Sequence, residues 1–490
     1  MVKYKRIIDK MAAYFKKNGI RQGIYRIYRK VLLARPVKYE VWQRRARLSQ
    51  KETRTLQQKY AEVLSQMEIC ESLQEVLKAE KAYAFVVQEK SRLEDSALPL
   101  FAEAIVRHPQ ADLFYCDSDR LHPDGVHLKE PLFKPEFDDV LLKGMSYVDG
   151  GFLAKRELLK QCTEEWLTDN EHWPYELFCL CSKKSSGIFH IARMLYHAPA
   201  DGKILYQNKK MKKNGGHMVS ILIPNKDQVK MLQTCVESIY AQAGNVDFEI
   251  LILENNSREE ETFSYYKELE RSRKARIIYW KSGFNYSAIN NYGAREANGD
   301  YLLFLNNDTE FKGKDVLGEL LNAAGEENVG AVGAKLFYPD GTLQHAGVIL
   351  GYGGIAGHVF EGMREKELRE IPWSRAVRQY SAVTAACMLV KKEIFTAVGG
   401  FDESFQVAYN DIDLCLRIRA LGNKIVYTPF AELIHYESAT RGLELTAEKA
   451  RRVNQESERF QRRWKKELAA GDPFYNPNLT LEKNDYSLRR

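Results

Sequence analysis

From about residue 218 onward the chain alternates short apolar runs with amphipathic stretches of helical length. This predicts an α/β domain built on a mainly parallel sheet. Two further observations shape that prediction. The runs "FEILIL" (248–253) and "YLLFL" (301–305) end in polar steps, "ENNS" (254–257) and "NNDT" (306–309), with no Gly or Pro to explain either as a tight turn. A weaker version of the same order precedes residue 205, so an earlier, incomplete copy of the domain is expected. At 490 residues the chain exceeds one ordinary core, in keeping with two or three domains.

The elements follow in order. Residues 1–75 read as a basic helical arm, in which Ile7, Ile8, Met11, Tyr14 and Phe15 recur at helical spacing, as do Ile20, Ile24, Ile27 and Val31 after Gly19. Residues 1–50 carry 15 Lys/Arg against Asp9 and Glu40, a balance of +13, whereas the whole chain sums to +7. The main body is therefore net acidic, which speaks against a nucleic-acid-binding surface. A basic amphipathic helix suits an anionic membrane surface, so peripheral membrane contact through residues 1–50 is expected. The other reading is a helix packed on the next domain with its charges solvated.

Residues 76–205 hold the incomplete copy. "YAFVVQEKSRL" (83–93) aligns without gaps on "YLLFLNNDTEF" (301–311), and "HPDG" (122–125) parallels "YPDG" (338–341). "GFLAKREL" (151–158) parallels "CMLVKKEI" (387–394), and "LYHA" (195–198) parallels "LIHY" (433–436). Lys90 stands at the place of Asp308, while Tyr175 and Leu177 fall at Asp411 and Asp413, so this copy reads as a scaffold. Residues 217–465 form the complete domain, with strands at 219–224, 248–253, 275–280 and 301–305 and helices at 228–241, from about 258, and at 287–297. Residues 466–490 are a tail.

Composition narrows the function classes. No window reaches about 18 apolar residues free of charge, so no transmembrane helix is expected, and the basic N-terminus lacks a signal peptide's apolar core. Eight scattered Cys show no zinc or disulfide spacing, which suits a reducing cytoplasm.

Four groups of residues could carry chemistry. Asp308, at a strand exit beside Asn306 and Asn307, can hold a hard divalent cation or cap the helix that follows. Glu254 ends a strand on the same edge, where a carboxylate can take a ribose hydroxyl or a base N–H; turn chemistry at Asn255 and Asn256 is the alternative. Asp411 and Asp413 open the amphipathic stretch "LCLRIRAL", where the helix dipole keeps a carboxylate ionised and able to act as a base, or simply capped. His435 and Arg441, in "ELIHYESATRG", can offset charge on a departing diphosphate or close a structural loop. His345 and His358 read as structural, and Trp373 as a stacking platform or a core residue.

Taken in order, "VSILIPNKDQVKMLQTCVESI", "ILENNS", "FNYSAINNYGAREANGDYLLFLNNDTE" and "VGGFDESFQVAYNDIDLCLRI" resemble the family 2 glycosyltransferases with a GT-A fold, and more narrowly bacterial rhamnosyltransferase-like enzymes of cell-surface polysaccharides. The resemblance covers residues 217–465 in full and extends weakly to "ADLFYCDSDRLHPDG" and "FKPEFDDVLL" in the first copy. It implies a nucleotide-diphospho-sugar transferase fold preceded by a truncated GT-A-like module. Asp308 would bind Mg²⁺ or Mn²⁺, with Asn306 where the family's usual motif has its first Asp. Pro224, Asn225, Asp227, Glu254, Asn306, His435 and Arg441 would bind the donor, a UDP- or dTDP-sugar, and Asp411 would be the catalytic base. The implied acceptor is a lipid-linked or polysaccharide glycan at the inner face of the cell membrane. The competing readings are a non-catalytic glycan-binding or scaffolding subunit and a nucleotidyltransferase, whose triphosphate loop "PNKDQ" does not resemble.

Overall fold

The computed structural model describes residues 37–162, 170–206, 216–436 and 447–489. Residues 1–36 of the basic arm, and Arg441 with its neighbours at 437–446, lie outside the described residues.

Two sheets dominate. The first has seven strands: β1 (Met67–Cys70), β2 (Tyr83–Val86), β3 (Arg92–Leu93), β4 (Leu113–Leu121), β5 (Leu128–Leu132), β6 (Phe152–Lys155) and β7 (Ile188–Ala198). Its order is β1-β2-β6-β4-β7-β3, with β5 on β4. The second has ten strands: β8 (Met218–Asn225), β9 (Asp247–Glu254), β10 (Arg276–Tyr279), β11 (Tyr301–Leu305), β12 (Thr309–Lys312), β13 (Val329–Phe337), β14 (Leu343–His345), β17 (Arg378–Gln379), β18 (Cys387–Lys391) and β19 (Lys424–His435). Between β14 and β17 along the chain, β15 (Val348–Leu350) and β16 (Ala356–His358) form a separate hairpin. The second order is β10-β9-β8-β11-β18-β13-β19-β12, with β14 on β13 and β17 on β19.

Without β10 and β9, the path of the second sheet repeats the first strand for strand, with the same parallel and antiparallel pairings. Register agrees as well: Tyr83 faces Lys155 as Tyr301 faces Lys391. The first sheet begins at Met67, nine residues before the start expected for the copy. The mainly parallel expectation is corrected on the far side of β11, because β18 runs antiparallel to both β11 and β13, and β12 to β19. An apolar run buried on both faces does not encode its direction.

Seven helices matter here: α1 (Tyr39–Ala46), α2 (Val229–Gln242), α3 (Glu260–Arg271), α4 (Tyr286–Glu296), α5 (Val316–Ala324), α6 (Asn410–Ala420) and α7 (Ala447–Arg463). On α2 the buried side chains Leu232, Cys235, Val236 and Ile239 recur at helical spacing and meet β8 and β9. The Asn285 side chain caps α4 by accepting the Ala288 N–H at 3.1 Å. Gly293 lets α4 approach the sheet closely, since a Cβ there would lie 2.6 Å from side-chain carbons of Leu222 and Leu253.

The two sheets share a polar seam. Asp138 accepts the backbone N–H and side-chain amide of Gln379 at 2.9 and 3.1 Å, and Lys424 pairs with Asp139 at 2.7 Å. Trp373 is buried against Tyr147, which lies between β5 and β6, so it is a core residue and no platform for a sugar. The expected tail runs back over this seam, where Asn476 donates to Asp117 and to the Lys134 carbonyl, and the Phe474 carbonyl takes the buried Arg378 guanidinium.

Candidate active site

Parallel pairing of β8 with β9 and with β11 brings three strand exits to one edge, the position where open α/β sheets bind ligands. Asn225, at the end of β8, faces Glu254 of β9, and the Asn307 amide after β11 donates to Asn225 Oδ1 at 2.7 Å. Asn225 also donates to the Tyr266 hydroxyl at 2.7 Å. Half-buried Pro224 lies just before this junction.

The carboxylates near β8 and β9 divide by partner. Asp227 sits at φ 54° and accepts the backbone N–H groups of Arg258 and Glu259 at 2.6 and 2.9 Å, so it caps the approach to α3. Glu254 is buried and accepts from Ser257 N at 2.5 Å, Ser257 Oγ at 2.6 Å and Tyr266 Oη at 2.6 Å. These three bonds hold the 254–257 turn and leave little of the carboxylate's capacity for a ligand. Ser257 closes the polar exit "ENNS", but Tyr266 was not singled out in the sequence; its spacing from Glu254 across a turn and into α3 carries no local signal.

Asp308 and His435 form the centre of the edge. Asp308 is 6% exposed, and its Oδ1 lies 3.2 Å from His435 Nε2. His435 ends β19 rather than lying in a loop, and its backbone register with Thr309 brings the two together. Its Nδ1 lies 2.7 Å from Gln344 Oε1, a carbonyl oxygen that can only accept, so Nδ1 carries the proton and Nε2 turns toward Asp308. The Asn306 amide sits 3.2 Å from the same Nε2. A carboxylate oxygen and an imidazole nitrogen converging, with the ring's other nitrogen fixed by a carbonyl, fit the chemistry of a divalent cation held jointly with ligand oxygens. Among the described residues no group of three or more His, Cys, Asp or Glu side chains could hold a metal without such help.

The acid on the other side is Asp411, in the first turn of α6. Its Oδ1 accepts the Ile412 N–H at 2.9 Å and its Oδ2 the Ala385 N–H at 3.2 Å. The neighbouring Ala386 carbonyl takes the Asn306 N–H at 3.1 Å, and the Ala385 carbonyl takes the Tyr286 hydroxyl at 3.0 Å. The turn at 384–386 therefore ties Asp411 to Asn306, and through it to Asp308 and His435. Asp413 is fully buried and serves a different purpose from capping its helix. It accepts from Arg417, Arg463 and Trp464 at 2.8, 2.8 and 3.0 Å, pinning α7 against α6. Glu456 of α7 then holds the loop before Asp411, accepting Gln406 N and Ala408 N at 2.9 and 2.8 Å. Gln344 and Glu456 also escaped the sequence reading; Gln344 adjoins the noted His345, whereas Glu456 is one acid among many on a charged helix.

Three strand exits thus stand with an acid-imidazole pair on one side and a helix-opening carboxylate on the other. Residues 220–395 match the family described as Glycosyl transferase family 2, and the chain carries a domain of that family. It is 35% identical over 456 residues to the uncharacterized protein y4gI of Sinorhizobium fredii, covering 84% of this chain and 50% of that one. It is also 35% identical over 444 residues to the O-antigen biosynthesis protein RfbC of Myxococcus xanthus, covering 81% of this chain and 34% of RfbC. The chain thus spans half or less of these relatives. Among solved structures, GalNAc-T7 with UDP, GalNAc and Mn²⁺ aligns at TM-score 0.36 and 14% identity, covering 49% of this chain and 45% of that one.

Proposed function

We propose that the chain transfers a sugar from a nucleoside-diphosphate sugar to a hydroxyl of a growing cell-surface glycan, with inversion in a single displacement. The observation that carries this reading is the 384–386 turn, which holds Asp411 through Ala385 and the Asn306–Asp308–His435 edge through Ala386. Asp411, at the positive end of α6, accepts the proton of the attacking hydroxyl. Asp308 and His435 Nε2 would hold Mg²⁺ or Mn²⁺, which when bound stabilises negative charge on the leaving diphosphate. Asn306 orients the donor beside them, Glu254 and Asp227 shape the nucleotide end through the turns they fix, and Arg441 would offset charge on the departing diphosphate.

The first sheet supports a scaffold role, because Lys90 and the buried Tyr175 stand where the second sheet has Asp308 and Asp411. The acceptor would be a lipid-linked glycan at the inner membrane face, approached through the basic arm. No described helix is long and apolar enough to cross a membrane. The RfbC name supports cell-surface polysaccharide as the product class. Titrating UDP, dTDP and GDP with and without Mn²⁺, on the native chain and on Asp308→Asn, tests the donor reading. Metal-dependent binding of one nucleotide, lost in the variant, is the expected outcome; no binding to any of the three favours a non-catalytic subunit.

A further inference from the structure

We infer that His358 reads the acceptor sugar, its Nε2 accepting a hydrogen bond from a hydroxyl next to the one that attacks. This rests on the transferase reading above. His358 ends the β15–β16 hairpin, where it is half-buried. Its Nδ1 lies 3.0 Å from the Gln344 main-chain carbonyl. His345 Nδ1 is the other group at this nitrogen, at 3.4 Å, and the nearer carbonyl oxygen only accepts, so Nδ1 carries the proton and, in the neutral ring, the lone pair sits on Nε2. No described residue hydrogen-bonds that Nε2.

The ring is linked to both halves of the site. Gln344, which holds His358 through its main chain, holds His435 through its side chain. The buried His345 meets the His358 ring edge-on at 4.8 Å and accepts the Thr384 N–H at 3.5 Å, next to the Ala385 that anchors Asp411. An acceptor hydroxyl has to lie between the donor edge and Asp411, the two groups to which His358 is linked through Gln344 and through His345. The fixed proton also selects the ligand class. An Nε2 lone pair takes a hydroxyl proton but offers nothing to a phosphate oxygen, so the partner is sugar rather than diphosphate.

His358→Asn separates this role from a structural one, because an Asn amide can still donate to the Gln344 carbonyl while lacking Nε2. The measurement is saturation-transfer NMR of the full chain, with its bound nucleotide and Mn²⁺, against octyl glycosides of glucose, galactose, N-acetylglucosamine and rhamnose. The expected result is that affinity for the preferred glycoside falls about fivefold, the effect of one lost hydrogen bond, while nucleotide affinity is unchanged. Unchanged glycoside affinity overturns the inference, and so does an equal fall in both affinities, which would mark a structural residue. A native chain that binds nucleotide but none of the glycosides overturns it too, whereas one that binds neither overturns the transferase reading itself.

Discussion

Removing the Glu456 carboxylate should cost turnover without costing donor binding. Glu456 is 2% exposed, and each of its oxygens takes one backbone N–H from the loop that delivers Asp411. Hydrogen bonds to a charged group contribute roughly 1.5 kcal/mol or more each, so Glu456→Ala forfeits about 3 kcal/mol and leaves two N–H groups to find water. The helix itself stays in place, because Phe460 stacks on Tyr409 with ring centroids 5.2 Å apart and Arg463 and Trp464 remain bonded to Asp413. The loss therefore falls on the order of residues 402–410. If all of it appears as misplacement of Asp411, kcat drops by up to about a hundredfold. Glu456→Gln, with one oxygen for two donors, should fall between. Steady-state kinetics beside a nucleotide titration reads both quantities. A variant with native kcat, or one whose nucleotide affinity falls as far as its kcat, would refute the reasoning, since Asn306, Asp308 and His435 lie on other elements.

Other consequences are as direct. His197 is buried between Asp119 and Glu94, at 2.5 and 2.9 Å; burial opposes its charge, but the two carboxylates outweigh it and hold the imidazolium above the usual histidine range. A raised folded-state pKa contributes stability below the unfolded value of about 6.5 and loses it as pH rises through the folded value. Denaturant midpoints taken upward from pH 6 should therefore fall more steeply in the native chain than in His197→Gln, and parallel profiles would contradict this. Gly293→Ala forces a methyl against Leu222 and Leu253 and should destabilise by about 1–3 kcal/mol by thermal melting. Deleting residues 1–50 should release the chain from anionic vesicles, and undiminished binding in a sedimentation assay would remove the arm's proposed role.

The sequence made the strands of 219–305 legible because apolar runs and helical spacing are local signals, and the polar exits at Glu254 and Asn306 marked the edge where the parallel strands end. It did not show that β18 and β12 run antiparallel, since direction depends on the connections between strands and not on burial. Partners far along the chain were equally hidden. Asp413 looked like a helix cap until Arg463 and Trp464, fifty residues on, proved to be what it holds. Glu254 looked free for a ligand until Tyr266 and Ser257 were seen to occupy it. The repeat in the first sheet was readable from four short matches, while its opening strand β1 lies in a stretch with no counterpart match.

The most direct test of the proposed chemistry is sugar transfer by Asp411→Asn, measured beside its nucleotide affinity. Asn preserves the acceptor oxygen for the Ile412 or Ala385 N–H but cannot take a proton, so transfer should fall by about a hundred- to ten-thousandfold with nucleotide binding intact. Native transfer by this variant would show that the carboxylate opening α6 is not the base and would contradict the account.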